Sequence, residues 1–552
     1  MRISRRNLLA GSMQAAAMAE AAAEPPLAAI VERHDRGVED YLKNQETDPA
    51  SRWRGSLPDA YGLHYAGSAG GILEAFTAAF LHPRSKFHRS PLLVERMRLA
   101  AGYLDRAQHE SGNVDLLITN FNSPPDTAFT VAPTATAALL ARRAGERELA
   151  GLTERFLRKA GAALAVGGVH TPNHRWVVCG ALAQIHELYP DPACLRRIDQ
   201  WLAEGIDIDA DGQYTERSTT VYNPICDRAF VVLAAKLKRP ELLDPVRRNL
   251  EAMLYLMHPG GEVVTEISTR QDQYERGDMG RYWFPLRYLA VKDGNGRFAA
   301  VAESVARTAA PLAALMEYPE LGAAGPAPAA LPDDYEKQFP ALGIARVRRG
   351  LTSATLTLGG SSRFLALRRG EAVINAVRFA SAFFGKGQFV PSKAERRGEA
   401  YHFTQSLTGA YFQPLDPPHK VAAGEWGASR PHRRQTEVCR LEQSATVREL
   451  RNGFEVRIQS AGTRDVPLAV EIGLRAGGRL EGCTEAPGAA EAFILPARAT
   501  ALYRMGGDAI RISPGLDEHR YTQVRGAEPK LRGPCVYVCG YTPFDHTLRF
   551  EW

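Results

Sequence analysis

The chain is predicted to be an α + β multidomain protein, with an N-terminal incomplete (α/α) toroid followed by a large antiparallel β-sandwich. Two observations predict this fold class. From residue 27 to about residue 315, apolar residues recur with helical spacing. After a stretch rich in Ala, Pro and Gly, apolar residues alternate with a period of two, which is typical of half-buried strands. The length of 552 residues also favours two cores over one.

The first domain, residues 25–321, contains helical segments separated by short Gly, Pro, Asn and Asp stretches. Consecutive helices of this length fit antiparallel pairs, and such pairs close into a toroid whose helix starts form a cleft at one end. The predicted helices are Ala28–Leu42, Gly71–Phe80, Pro91–Gln108, Ala128–Ala144, Arg147–Ala163, His174–Leu188, Cys194–Glu204, Thr220–Leu237, Pro240–Met257, Gly280–Ala290 and Phe298–Leu315.

Residues 322–335 are predicted to be the linker, because GAAGPAPAALPDD is rich in Ala, Pro and Gly. The second domain, residues 336–552, contains short alternating segments and Gly-rich turns, which favour an antiparallel sandwich. The predicted strands are Ala345–Val347, Ala354–Leu358, Phe364–Leu367, Val373–Phe379, Thr436–Leu441, Ala445–Glu449, Phe454–Gln459, Leu468–Leu474, Ala492–Leu495, Thr500–Tyr503, Ala509–Ile512, Cys535–Tyr541 and Thr547–Phe550.

Residues 1–24 have the pattern of a twin-arginine export signal. Arg5 and Arg6 precede the apolar segment Leu8–Ala19, and Ala17–Ala19 offers small residues for cleavage. We therefore expect a periplasmic or secreted protein. The alternative is an amphipathic N-terminal helix, since Gln14 interrupts the apolar segment. No later stretch has the apolar length that a membrane span needs.

Composition limits the classes of partner. The formal net charge is +6, and there is neither a long Lys/Arg run nor a nucleic-acid-binding motif, so we expect no nucleic acid partner. The seven cysteines are scattered and match neither zinc nor redox spacing. No catalytic metal or other cofactor is predicted, whereas a structural metal in the sandwich and the oligomeric state stay open.

Residues 168–176, GVHTPNHRW, place Asn173, His174 and Arg175 at a predicted helix start. Removing a proton next to a carboxylate adds a second negative charge beside the first, so the carboxylate must be neutralised by donors. An amide, an imidazolium and a guanidinium can do this, and these three residues supply one of each. The three residues therefore predict uronic-acid chemistry. The alternative is that Asn173 only caps the helix.

Residues 211–223, DGQYTERSTTVYN, form a polar loop before another predicted helix. The loop carries Tyr214, Glu216, Arg217 and Tyr222. Proton abstraction also needs a base activated by a nearby cation, and the hydroxyl of Tyr222 fits that role and could return the proton to the leaving oxygen. The alternatives are an aromatic residue at the edge of the core and a surface ion pair between Glu216 and Arg217.

Two further polar stretches fit a sugar-binding role. Asn122 and Asp126 lie in NFNSPPDT immediately before a predicted helix, where they could bind sugar hydroxyls or only cap the helix. Arg270, in TRQDQYER, could bind a further uronate. The segment Phe383–Gln388 lacks the strand-to-helix context of a phosphate loop and is predicted to be a turn.

In its domain order and these motifs, the chain resembles the heparinase II/III-like polysaccharide lyases. The resemblance implies that Asn173 and His174 bind the uronate carboxylate and that Tyr222 is the acid and base. It also implies that a sandwich residue closes over the site, for which His402 in GEAYHFTQ is the best candidate. The chain departs from the family in two places. Asn223 stands where the family often has His, which leaves the substrate and the assignment of the base open. One residue is inserted before Tyr222, which leaves Tyr214 as a competing acid.

Two other functions stay open at this stage. A glycoside hydrolase on the same scaffold would need two carboxylic acids. The carboxylic acids available in the loops are Glu216, Asp126, Asp272, Glu275 and Asp278. A non-catalytic glycan-binding protein would need exposed aromatic platforms on the sandwich, for which Trp426 and Trp552 are candidates.

Replacing both Arg5 and Arg6 with Lys is expected to retain the protein in the cytoplasm, because a twin-arginine signal depends on the arginine pair. Cell fractionation with antibody detection measures this. Undiminished export of the variant would mean that the segment is an ordinary helix.

Overall fold

The computed structural model of the protein describes residues 26–552, so the predicted export segment lies outside the described residues. The described chain forms two compact units. The first contains the chain up to Met257 together with Gly261–Pro332, and the second contains His258–Gly260 and Asp333–Trp552.

Thirteen α-helices lie in the described part of the first unit, and every predicted helix is found. They are α1 Leu27–Asn44, α2 Ala66–Leu81, α3 Pro91–Ala107, α4 Pro124–Arg143, α5 Arg147–Gly151, α6 Glu154–Leu164, α7 Pro172–Leu188, α8 Pro192–Ala203, α9 Tyr222–Leu237, α10 Asp244–Tyr255, α11 Trp283–Asp293, α12 Gly296–Ala309 and α13 Leu312–Glu317. Between residues 26 and 552, no helix has the length and apolar character to cross a membrane.

The helices form an inner and an outer layer. Helices α2, α4, α7, α9 and α11 contact one another in that order, and α3, α6, α8, α10 and α12 each pack on the inner helix before them. Inner helices are buried around their whole circumference, as α7 is with 13 of its 17 residues buried. Because an outer helix returns the chain each time, successive inner helices run parallel and begin at the same end of the toroid.

Prolines set several helix boundaries. Pro172 opens α7 two residues earlier than predicted, since proline suits the first helical turn. The predicted helix Phe298–Leu315 is divided into α12 and α13 at Ala310 and Pro311, because Pro311 cannot continue the hydrogen-bond ladder. A short hairpin, β1 Val114–Leu116 and β2 Asn120–Ser123, was not predicted, because its residues are few and polar.

The second unit is built from two sheets. Its strands are β3 Asp334–Phe339, β4 Ile344–Arg349, β5 Thr352–Thr357, β6 Leu365–Arg369, β7 Ala372–Ser381, β8 Gly387–Gln388, β9 Lys393–Arg397, β10 Ala400–Phe412, β11 Gln435–Leu450, β12 Gly453–Gly462, β13 Pro467–Leu474, β14 Arg479–Glu481, β15 Thr484–Glu485, β16 Ala492–Ile494, β17 Ala501–Met505, β18 Asp508–Ser513, β19 Cys535–Tyr541 and β20 Phe544–Glu551.

One sheet has the order β14-β17-β18-β20-β12-β11-β10-β9, and the other has the order β15-β16-β19-β13-β7-β6-β5-β4-β3, with β8 paired to β7. All named strand pairs are antiparallel except β16 with β19. Phe364 and Phe379 from one sheet pack in a common core with Phe403, Val456 and Ile512 from the other. The fold is therefore the predicted helical toroid with a β-sandwich.

The unpredicted strands are polar or exposed. β3 begins at Asp334, within the predicted linker. It was not predicted because its residues, DYEKQF, show almost no alternation of apolar and polar side chains. β9 and β10 were also missed, and β11 is one strand where two were predicted. Both predicted segments, Thr436–Leu441 and Ala445–Glu449, lie within β11, and the structure joins them through residues 442–444.

Adjacent glycines in α2 provide a packing test. A Cβ at Gly70 would lie 2.9 Å from the backbone oxygen of Thr130 and 2.9 Å from Thr134 Oγ1, whereas a Cβ at Gly71 would meet only Tyr41 Oη at 3.9 Å. Gly70→Ala is expected to lower the free energy of unfolding by about 1–3 kcal/mol, and Gly71→Ala to leave it unchanged or raise it by up to about 1 kcal/mol. Urea unfolding measures both, and equal effects would contradict this contact between α2 and α4.

Candidate active site

The first turn of α7 supplies the first two site residues. Asn173 and His174 face the interior, with 2% and 8% of their surface exposed. Thr171 is the residue before the helix, so Asn173 is not the cap. Asn173 Nδ2 donates to Thr171 Oγ1 at 3.2 Å and to Glu216 Oε2, so both amide hydrogens are engaged. Its Oδ1 is buried without a partner among the described residues.

Glu216 lies at the centre of the site, and 6% of its surface is exposed. Besides accepting from Asn173, its carboxylate forms an ion pair with Arg270, with Oε1 3.5 Å from Nε. Its backbone oxygen accepts from Thr269 N at 3.1 Å and Thr269 Oγ1 at 2.9 Å. Glu216 therefore fastens the loop before α9 both to α7 and to the loop that carries Arg270.

Asp272 also joins the loop before α9 to the loop that carries Arg270. It is 4% exposed and accepts from Ser218 Oγ at 3.0 Å, from Thr220 N at 3.1 Å, from Thr220 Oγ1 at 2.8 Å and from Ser268 Oγ. A carboxylate with four donors is a structural acceptor. Sequence reasoning had considered Asp272 only as a possible catalytic acid, since its partners Ser218 and Thr220 lie more than 50 residues away.

Arg270 and Gln271 bring Tyr222 into this cluster. The guanidinium carbon of Arg270 lies 5.2 Å from the centroid of the Tyr222 ring, within cation–π range. Gln271 Nε2 donates to the hydroxyl of Tyr222 at 3.2 Å. Tyr222 is the first residue of α9 and is half-buried. A chain of contacts thus joins Asn173, Glu216, Arg270 and Tyr222.

His174 is neutral over the physiological range, because its surroundings lower the pKa of the imidazole to about 4. Burial is the largest cause; His170 and Arg270 lower the pKa further, and Asp126 opposes them. The predicted imidazolium is therefore absent from the free protein. A neutral imidazole keeps a lone pair that can accept a proton or a hydrogen bond.

The pKa of the Glu216 carboxyl is raised, chiefly by burial, although its contacts with Asn173 and Arg270 act in the opposite direction. Asp207 and Asp272 raise it further through their negative charges. Burial thus disfavours charge on both His174 and Glu216. Arg270 is the cation of the cluster.

Two predicted arginines have protein partners instead. Arg175 Nη1 lies 3.1 Å from Glu204 Oε2, and its Nη2 lies 2.9 Å from Asp207 Oδ1. These ion pairs engage Arg175 within the protein, and its binding of substrate stays a prediction. Arg217 has a positive φ of 50° and lies 4.0 Å from Asp209.

Tyr214 does not compete with Tyr222. It is 2% exposed, stacks on Phe230 with ring centroids 6.2 Å apart, and donates to Asp227 Oδ1 at 2.9 Å. Burial and the Asp227 carboxylate hold the pKa of Tyr214 well above its usual value. The hydroxyl of Tyr214 is therefore engaged with Asp227, and its binding of substrate stays a prediction.

The loop before α4 lies close enough to act electrostatically on His174. Asp126 accepts from Asn120 Nδ2 at 2.9 Å and from Ser123 Oγ at 2.5 Å, so its carboxylate is engaged in the helix start. Asn122 is exposed, and its Oδ1 accepts from Ser111 Oγ at 2.6 Å. A role for Asn122 in sugar binding stays a prediction.

His402 lies on β10 in the second unit. Its Nδ1 is 3.0 Å from Thr446 Oγ1, opposite which it stands in the ladder of β10 and β11, and its side chain is half-buried. Its predicted role in closing the site stays a prediction. Between residues 26 and 552, no group of three or more His, Cys, Asp or Glu side chains could hold a metal ion.

The fold is shared with solved polysaccharide lyases. Chondroitin AC lyase of Streptomyces coelicolor A3, in complex with chondroitin sulphate, has a TM-score of 0.55 at 13% identity, over 95% of this chain and 79% of that one. Xanthan lyase of Paenibacillus has a TM-score of 0.54 at 11% identity, over 96% of this chain and 57% of that one. No family model and no curated protein matches the chain.

The fold that this chain has in common with these solved lyases is therefore the toroid and sandwich architecture. Within that fold, the predicted residues Asn173, His174, Glu216, Tyr222 and Arg270 come together in one cluster. Gln271 and the structural role of Asp272 were missed, because only the folded chain brings them to Tyr222 and Ser218.

The neutral state of His174 predicts an acid-sensitive contribution to stability. Between pH 6.5 and about 4, the imidazole of His174 is protonated in the unfolded chain and neutral in the folded chain. Protonation therefore favours the unfolded chain, so the free energy of unfolding is highest above pH 6.5 and decreases as the pH falls toward 4. The loss amounts to up to about 3 kcal/mol at pH 4. His174→Gln should reduce the pH dependence of urea unfolding between pH 7 and pH 4.5, whereas exposed His88→Gln should not. Identical profiles for both variants would contradict a neutral His174.

Proposed function

We propose that this protein is a polysaccharide lyase that cleaves a uronate-containing glycan by β-elimination. The observation that carries the proposal is the position of Arg270, which contacts Tyr222, pairs with Glu216 and acts electrostatically on His174. One cation thus lies beside both a phenol and a neutral imidazole. The Streptomyces lyase with this fold was solved with chondroitin sulphate, an acidic glycan, which supports an acidic glycan as the substrate class.

Arg270 is the group that would neutralise the uronate carboxylate. The proton on the adjacent carbon becomes acidic only when the negative charge that develops on the carboxylate is stabilised. The guanidinium has five donors, and its ion pair with Glu216 Oε1 at 3.5 Å leaves donors for a substrate. Asn173 acts by holding Glu216, which in turn positions Arg270. In this proposal Arg270 takes the role that the sequence predicted for Asn173, His174 and Arg175.

Tyr222 would transfer the proton. Its phenol oxygen, deprotonated when it acts as the base, takes the proton from the carbon next to the carboxylate. The bond from the following ring carbon to the leaving oxygen breaks, and a double bond forms between these two carbons. The phenol so formed then delivers the proton to the leaving oxygen. Gln271 orients the phenol through its 3.2 Å hydrogen bond. The neutral imidazole of His174 assists as a hydrogen-bond acceptor.

A glycoside hydrolase is the alternative that one observation favours. The pKa of the Glu216 carboxyl is raised, as in a general acid. Hydrolysis also needs a second free carboxylate. Asp272 accepts four hydrogen bonds and Asp126 is engaged in the start of α4, so neither is as free as that role requires.

Tyr222→Phe is expected to lower turnover by ~10²–10⁴-fold, because the hydroxyl that carries the proton is lost while the ring is kept. Glu216→Gln is expected to cost about tenfold, since the amide still meets Asn173 but no longer pairs with Arg270. Tyr61→Phe, on an 80% exposed tyrosine, is the control and should be fully active. Ultraviolet absorbance of the new double bond follows the reaction on alginate, hyaluronan and chondroitin sulphate.

A reversed order of effects would identify a hydrolase. In that case Glu216→Gln or Asp126→Asn would abolish activity, Tyr222→Phe would be nearly as active as the wild type, and the products would show reducing ends without ultraviolet absorbance.

A further inference from the structure

A cavity of about 470 Å³ lies in the first unit, between the start of α9 and the start of α11. Pro224, Trp283 and Phe284 form apolar parts of its wall, and Arg228, Asp278 and Arg281 supply the charges. None of these residues belongs to the cluster around Glu216. The cavity therefore has a chemistry of its own that the proton transfer does not use.

Two guanidiniums in this cavity have no protein acceptor. Arg228 is half-buried, with its guanidinium carbon 5.9 Å from the Phe284 ring centroid, and Arg281 is exposed. Neither makes a hydrogen bond or an ion pair with any residue between 26 and 552. By contrast, Arg247 of the same unit is paired with both Asp244 and Asp293. A guanidinium without a protein partner keeps its N–H donors free for a ligand.

The charges in the cavity favour an anion. Asp278 is the carboxylate in its wall, and Asp278 Oδ1 already accepts from Gly280 N at 2.8 Å. Arg228 also lines a second, much smaller cavity of about 10 Å³, whose wall contains Glu74 and Glu317. Burial raises the pKa of the Glu74 carboxyl, and the Arg228 charge opposes that rise. In the wall of the 470 Å³ cavity itself, two cations, Arg228 and Arg281, stand against the one carboxylate of Asp278.

The cavity is joined to the reaction centre by α9. Tyr222 begins this helix, and Pro224, Ile225 and Arg228 follow on it. Arg228 is six residues beyond Tyr222, which corresponds to about 9 Å along the helix axis. This distance exceeds one sugar ring, so a group at Arg228 would belong to a different sugar from the one that reacts at Tyr222.

We propose that this cavity is an anion subsite that binds the carboxylate or sulfate of a sugar further along the same glycan. Arg228 holds the anionic group through paired N–H donors, Arg281 adds a second cation at the rim, and the Phe284 wall packs against the sugar ring. The inference rests on the proposed function, because it takes the substrate to be an acidic glycan. It adds to that function a preference for substrates long enough to reach Arg228.

The test compares Arg228→Gln and Arg281→Gln with Arg155→Gln, an exposed arginine on α6 that has no partner among the described residues. Calorimetry measures the affinity for disaccharides and hexasaccharides of alginate, hyaluronan and chondroitin sulphate, and circular dichroism checks folding. Arg228→Gln is expected to weaken hexasaccharide binding about tenfold or more and to leave disaccharide binding unchanged. Arg281→Gln should weaken it less, because its side chain is exposed.

The choice of glycans shows whether the bound anion is a carboxylate or a sulfate. A loss on all three hexasaccharides identifies a carboxylate, since alginate and hyaluronan carry no sulfate, and a loss on chondroitin sulphate alone identifies a sulfate. Hexasaccharide affinities equal to those of Arg155→Gln, or equal losses on disaccharides and hexasaccharides, would overturn the subsite. If no probe yields an unsaturated product but hexasaccharides still bind through Arg228, the proposed elimination fails and the subsite stands.

Discussion

The candidate site depends on the contacts that the carboxylate of Glu216 makes with Asn173 and Arg270. This carboxylate accepts from Asn173 on α7 and pairs with Arg270, while the backbone oxygen of Glu216 accepts from Thr269. Three segments that are distant in sequence are thereby held at one point. Because Glu216 is 6% exposed, removing it would leave buried donors without an acceptor, which costs more than the loss of a surface contact.

Burial also determines the charges at this point. It lowers the pKa of His174 and raises that of Glu216, so both groups are drawn toward their neutral forms. A guanidinium keeps its charge under such conditions, which makes Arg270 the natural partner for an incoming carboxylate. A site with one fixed cation and a phenol close to it suits the removal of a proton beside a carboxylate better than a site with two opposed carboxylates.

The toroid explains why residues from separate helices meet. Its inner helices are buried all round and begin at the same end, so the first turns of α7 and α9 and the loop before α9 are brought together. The same geometry separates neighbours in sequence. Successive helical residues point about 100° apart, since there are 3.6 residues per turn. His174 therefore faces the interior, while Arg175 turns to Glu204 and Asp207.

The sequence by itself determined the order of the two architectures, because the change from helical to alternating periodicity is a local property of the chain. It also identified the segments that carry Asn173, His174, Glu216, Tyr222 and Arg270. The polar strand β3 escaped, since it buries too few apolar residues to show a period.

Tertiary structure alone decided which candidates act together. Tyr214 and Tyr222 stand in one loop, yet only folding buries the first against Asp227 and leaves the second beside Arg270. The pKa of His174 and the anchoring role of Asp272 were equally invisible, because both depend on groups about 45 to 95 residues away. The sequence shows which residues are present, whereas burial and long-range hydrogen bonds in the folded chain decide the charge and the partners of these residues.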